Sequence, residues 1–132
     1  MRVLIVVVDD EVDMAALFRQ QFRRDLKAGR FEMEFATSAA EALGIIVNAG
    51  GQEIILLLSD INMPGMSGFE LLPRVKALRP GLPVIIMSAY CDAETRQRAL
   101  EHGAEGLVHK PIDFAALRDE VECRLVGNGA AP

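Results

Sequence analysis

Six consecutive apolar residues, Val3-Leu4-Ile5-Val6-Val7-Val8, stop at Asp9-Asp10-Glu11, and a second apolar run over residues 54–58 stops just short of Asp60. Runs this continuous do not suit strands with one wet face. They predict parallel strands covered on both sides. Val84-Ile85-Ile86-Met87 is a third such run, ending in Ser88-Ala89-Tyr90, and Gly106-Leu107-Val108 is a short last one that delivers Lys110-Pro111. Met33 and Phe35 alternate with Glu32 and Glu34, the pattern of a short edge strand with a wetter face.

Between these runs the period changes to that of helices. Met14, Ala15, Phe18, Phe22 and Leu26 form one stripe, with Arg19, Gln20, Arg23 and Arg24 on the other face and Gly29 as the stop. Ser38 and Glu41 have capping-box spacing; Ala39, Ala42, Leu43, Ile46 and Val47 supply the buried side of a second helix, which Gly50-Gly51 ends. Ser67 and Glu70 repeat the spacing before a third helix with Phe69, Leu72, Val75 and Leu78 facing inward. Pro73 within it lacks a backbone donor and is expected to kink or delay it, and Pro80-Gly81 ends it. Residues 93–102 form a charge-rich helix with only Ala93, Ala99 and Leu100 to bury, so it is expected to be loosely held. Asp113 caps a final helix with Phe114, Leu117, Val121 and Leu125 on one stripe. Five strands alternating with five helices predict a doubly wound α/β fold with helices on both faces of a parallel sheet. Residues 1–126 are expected to form its one domain, with 127–132 a disordered tail or linker stub.

Composition narrows the classes. The chain has 132 residues, enough for one domain with a real core, since a domain of this size buries roughly 70% of its unfolded surface. No apolar run approaches the ~20 residues that span a bilayer, and no small-residue cleavage site follows the first run, so a cytoplasmic protein that does not engage membranes is expected. Cys91 and Cys123 lack a Cys-x-x-Cys spacing and are read as free thiols. A formal charge of -5 without a basic run argues against direct nucleic-acid binding.

The candidate chemistry lies at the strand ends. In the flavodoxin-like strand order 2-1-3-4-5, the first and third strands are neighbours at ~4.8 Å, which brings Asp9, Asp10 and Asp60 together. Three crowded carboxylates need a cation, and hard oxygen ligands favour Mg²⁺. Ser88 can donate a hydrogen bond from the next strand end, and Lys110, two strands away at ~10 Å, can bring its ammonium to the same point. The set suits phosphoryl transfer onto Asp60. Taken singly, each residue has an ordinary reading: Asp60 as a turn residue, Asp9 and Asp10 as helix N-terminal acids, Ser88 as a turn hydroxyl, Lys110 as a solvated charge. Their joint occurrence at successive strand ends carries the functional reading. His102 and His109 have no metal-ligand spacing and are taken as surface or loop residues.

In Val8-Asp9-Asp10-Glu11, the stretch Asp60-Ile61-Asn62-Met63-Pro64-Gly65-Met66-Ser67-Gly68, Ser88-Ala89 and Lys110-Pro111, the chain resembles the receiver domain of two-component response regulators over nearly its whole length. The resemblance implies that Asp60 accepts a phosphoryl group from a sensor histidine kinase or phosphotransfer protein. It further implies that Asp10, Asp60 and the backbone carbonyl of Asn62 bind Mg²⁺, with Asp9 acting through a water, and that Ser88 and Lys110 contact the phosphoryl oxygens. It implies a cis Lys110-Pro111 bond, a downstream protein partner or output domain, room for a homodimer on activation, and no enzymatic activity beyond the domain's own phosphorylation and dephosphorylation. One departure is visible: Leu107 stands where the family usually has Tyr or Phe, which puts the route of the signal to the surface in question.

Competing readings are weaker. A haloacid-dehalogenase-type phosphohydrolase needs a second acid two residues after the nucleophile, where Asn62 stands here. A flavodoxin needs a phosphate-cradling loop after the first strand, where Asp9-Asp10-Glu11 would repel the phosphate. A receiver that docks to partners without being phosphorylated remains the alternative within the family.

Overall fold

Val3–Val8 (β1) and Glu53–Asp60 (β3) lie side by side in the middle of a parallel sheet, with Leu4 opposite Ile54 and Val8 opposite Ser59. Glu32–Ala36 (β2) flanks β1, Val84–Ser88 (β4) flanks β3, and Gly106–His109 (β5) closes the far edge, giving the order β2-β1-β3-β4-β5. This is the expected doubly wound, flavodoxin-like arrangement. The computed structural model describes residues 3–49, 53–63, 65–89 and 92–127. The helices are Asp13–Gln21 (α1), Arg23–Lys27 (α2), Ala39–Asn48 (α3), Gly68–Leu78 (α4), Ala93–Glu101 (α5) and Phe114–Gly127 (α6).

The sheet is buried on both faces. Leu4, Val6, Val8, Leu57 and Ile86 pack with Ala42, Ile46, Leu72, Val75 and Ala99 from α3, α4 and α5. Val3, Ile5, Val7, Leu58 and Met87 pack on the other face with Phe18, Phe22, Leu117, Val121 and Leu125. Within β3 the register shifts so that Ile5 faces Leu56 after Leu4 has faced Ile54, leaving Ile55 as an extra residue. Side chains alternate faces along a strand, so this one residue reverses the facing of everything after it, Asp60 included. The sequence conceals the bulge because all of residues 54–58 are apolar.

Several expectations are corrected in detail. The first helix is two: the backbone leaves helical geometry at Phe22 (φ -106, ψ 18), whose buried ring packs edge-on to Phe31 and Phe114. Pro73 does not delay the third expected helix, because Ser67 and Glu70 form a complete capping box at its start and Phe69, Leu71, Leu72 and Val75 bury its inner side. At Ser38 only half the box forms: Ser38 accepts from the Glu41 amide, while the Glu41 carboxylate turns to Thr37. Val47, Leu78 and Leu100, expected inside, are 63%, 49% and 53% exposed. In α5 the burial falls to Ala99 alone, a small residue that lets the helix lie close. The last helix includes Gly127, one residue past the expected domain end, and Asp113 caps it by accepting from the amides of Ala115 and Ala116. Gly50-Gly51, Tyr90, Cys91 and residues 128–132 lie outside the described residues. Among the described residues no helix is long and apolar enough to cross a membrane.

Candidate active site

Where β1 ends, Asp9 continues its hydrogen bonding by donating its amide to the Ala36 carbonyl at 2.9 Å, which fixes the turn toward α1. Its side chain is almost fully buried and doubly held: one oxygen accepts from the Glu11 amide at 2.9 Å, the other from the Lys110 ammonium at 2.7 Å. Asp10 is exposed beside it. Asp60 is the last residue of β3, opposite Met87 of β4, and is 7% exposed. One carboxylate oxygen from each of Asp9, Asp10 and Asp60 lies within 4.8 Å of the others, as the sequence led one to expect.

The segment after Asp60 is pinned to it. Ile61 donates to Met87 and accepts from the Gly68 amide at 2.9 Å, and a Cβ on Gly68 would stand 2.5 Å from the Asp60 carbonyl oxygen. Only glycine permits this approach of α4 to the strand end. Asn62 is exposed in the turn between, and Gly65 takes a positive φ of 84 within it.

Ser88 ends β4, buried, opposite His109 of β5. Its carbonyl accepts from the Lys110 amide at 2.8 Å, so the two residues are locked together, and the Lys110-Pro111 bond is cis. Besides Asp9, the Lys110 ammonium lies 3.4 Å from Asp60 and 3.9 Å from Glu11. The contact with Glu11, the clamp on Asp9 and the role of Gly68 escaped sequence reasoning. The glycine after Ser67 was the one available signal for the last of these.

Charge in the cluster is finely opposed. Burial raises the Asp60 pKa above its ordinary value; Lys110 works against this, while Asp9 and Asp10 reinforce it. Burial disfavours the Lys110 ammonium, but the hydrogen bond to Asp9 and the charges of Asp9, Asp60 and Glu11 outweigh it and raise its pKa. Three carboxylates face one ammonium, an all-oxygen set with excess negative charge that fits a hard divalent cation. Asp10 is the best placed of the three to turn toward one, since no protein cation holds it among the described residues. A groove of about 770 Å³ opens between Glu53, Leu82 and Arg124, and none of the residues lining it belongs to the acid cluster.

The sequence pattern of the response regulator receiver domain matches residues 5–122. The chain belongs to this family. The receiver is 34% identical over 118 residues to the transcriptional regulatory protein ZraR of Escherichia coli K12, a match that covers 89% of this chain and 25% of that protein. The chain thus spans about a quarter of the length of that relative. Among solved structures, a CheY-like receiver domain protein from Methanospirillum hungatei JF-1 superposes with a TM-score of 0.81 at 29% identity, covering 96% of each chain. The CheX-CheY-BeF3-Mg²⁺ complex from Borrelia burgdorferi contains a chain that matches with a TM-score of 0.78 at 27% identity, over 89% of this receiver and 85% of that chain.

Proposed function

We propose that this receiver is a phosphorylation-activated switch of the cytoplasm, in which Asp60 takes a phosphoryl group from a sensor histidine kinase or phosphotransfer protein. The observation that carries this reading is Asp60 itself: a strand-end carboxylate, nearly buried, with Asp9 and Asp10 at one side and the Lys110 ammonium 3.4 Å away. Desolvation leaves its ionised oxygen more basic and a better nucleophile than a solvated carboxylate. That oxygen forms the new bond to phosphorus as the bond from phosphorus to the donor imidazole nitrogen breaks, with the electron pair left on the ring. Lys110 and Ser88 then hold the phosphoryl oxygens. Mg²⁺, held by Asp10, Asp60 and the Asn62 carbonyl, supplies neutralisation of charge when bound. Asp9, already tied to Glu11 and Lys110, sets the position of that ammonium and would act on a bound metal through a water.

Asn62, standing two residues after Asp60 where a phosphohydrolase needs a second acid, disfavours that reading, and Asp9-Asp10-Glu11 after β1 would repel the phosphate of a flavin. The signal passes to a downstream protein or output domain, and the domain catalyses only its own phosphorylation and dephosphorylation. Intact mass after incubation with acetyl phosphate and Mg²⁺ tests this. One added phosphoryl group on the wild type and none on Asp60→Ala is the expected result. Labelling of Asp60→Ala at the wild-type rate overturns the assignment, an unlabelled wild type points to a receiver that only docks, and steady turnover of phosphate esters points to a hydrolase.

A further inference from the structure

Far along α1 and α2 from the acid cluster, Arg19, Arg23 and Lys27 recur at four-residue spacing and rim a groove of about 410 Å³ whose floor is Leu26, Met33 and Phe35. The three cations are exposed, and the floor residues are only partly buried. Arg23 and Lys27, like charges four residues apart in α2, repel by a few tenths of a kcal/mol, so the pair works against the helix that carries it. Two other arginines are neutralised within the chain: Arg30 pairs with Asp25 and Glu122, and Arg124 with Glu105 and Glu120. Among the described residues no carboxylate comes within ion-pair distance of Arg19, Arg23 or Lys27; Arg19 instead lies over the Phe35 ring, 4.6 Å from its centroid. Glu32 and Glu34 alternate with Met33 and Phe35 and so point to the opposite face of β2, and Asp25, which directly precedes Leu26, is engaged by Arg30.

An apolar floor inside a cationic rim is the complement of a helix or strand that carries acids on its flanks and one or two apolar side chains on its ridge. We infer that this groove docks an acidic, amphipathic segment of a partner protein. A long nucleic acid would run from the stripe onto a molecule of net charge -5 and has nothing to place on a floor of Leu, Met and Phe. A flat anionic bilayer does not reach a floor set behind its rim. Because the groove shares no residue with the acid cluster, the segment can stay bound while Asp60 is phosphorylated.

The test uses a fluorescein-labelled synthetic helical peptide of about 16 residues, with leucines on one face and glutamates on the other, read by anisotropy. The control peptide has the same composition with its leucines dispersed around the helix. The amphipathic peptide is expected to bind the wild type at least tenfold more tightly than the control. Binding is expected to weaken tenfold or more in Arg23→Glu with Lys27→Glu, in Met33→Glu, and as salt rises from about 50 to about 300 mM. Circular dichroism and acetyl phosphate labelling should be unchanged in these variants, since none of the three residues touches the acid cluster. Equal binding of the two peptides, or indifference to both charge reversal and Met33→Glu, overturns the inference. So does tighter binding of anionic vesicles or duplex DNA, and so does self-association in sedimentation that the charge reversal abolishes, which would make the occupant a second copy.

Discussion

At Asp60, burial and two neighbouring acids oppose ionisation more strongly than Lys110 supports it, and the resulting upward shift has a definite thermodynamic sign. A carboxyl with a raised folded pKa stabilises the protein only where it is protonated, so its ionised form costs stability once pH exceeds the ordinary value of 3.8, and the cost vanishes below it. Asp60→Asn is therefore expected to raise the melting temperature near pH 7.5 by roughly 2–6 °C, with the gain shrinking steadily toward pH 4. Thermal melts across that range check it; a variant that melts no higher at neutral pH shows that the lost contact with Lys110 outweighs the relief of repulsion. The members of this site were legible in the sequence because a strand-end rule needs only the strands and their order. What they do to one another was not legible. That Lys110 clamps Asp9 at 2.7 Å while standing 3.4 Å from Asp60 depends on register and on the bulge at Ile55, which no alternation of residue types reveals.

Among the helices that pack on the sheet, α5 is held by little. It buries only Ala99, and its other anchorage lies on α4: the Arg98 guanidinium sits 4.7 Å from the Phe69 ring centroid, and the His102 ring 5.3 Å from it. Phe69 directly follows Gly68, the residue pressed against the Asp60 carbonyl, so adjacent residues of α4 carry the contact to Asp60 and the contact to α5. Replacing the ring removes a cation–π contact of about 0.5–1 kcal/mol together with some packing. Phe69→Leu should accelerate amide exchange across residues 93–101 by about three- to tenfold and leave the core amides of α6 unchanged. Exchange unaltered in α5 would mean that Ala99 alone anchors it. The same experiment with beryllofluoride and Mg²⁺ should show activation moving α5 more than it reorients Leu107, which is half-buried against the same core. The thin apolar side of α5 was plain in the sequence, as were the strands and caps. The break at Phe22 and the exposure of Leu100 were not, because periodicity identifies a face but not which neighbour arrives to cover it.

At the scale of the whole molecule, the sheet is wrapped by helices from both ends of the chain, and Arg30 ties them together. It lies just before β2 and donates to Asp25 at 2.6 Å and, 92 residues on, to both carboxylate oxygens of Glu122 in α6, one of them at 2.8 Å. That two-pronged hydrogen bond lowers the Glu122 pKa below its ordinary value. A lowered carboxyl contributes stability that is fully present above its unfolded pKa, about 4.5, and is lost as pH falls through its folded one. The Glu122 side chain is 42% exposed, so solvent screens the pair and its worth is modest, about 0.5–1 kcal/mol. Arg30→Met keeps an unbranched apolar stem and removes the charged guanidinium. It should lower the unfolding free energy by that amount in urea at pH 7, and the gap from wild type should narrow in molar salt and close progressively as pH drops below about 4.5. A gap that stays constant from pH 7 to pH 3 would assign the loss to packing of the arginine stem instead of to the tie between the two ends of the fold.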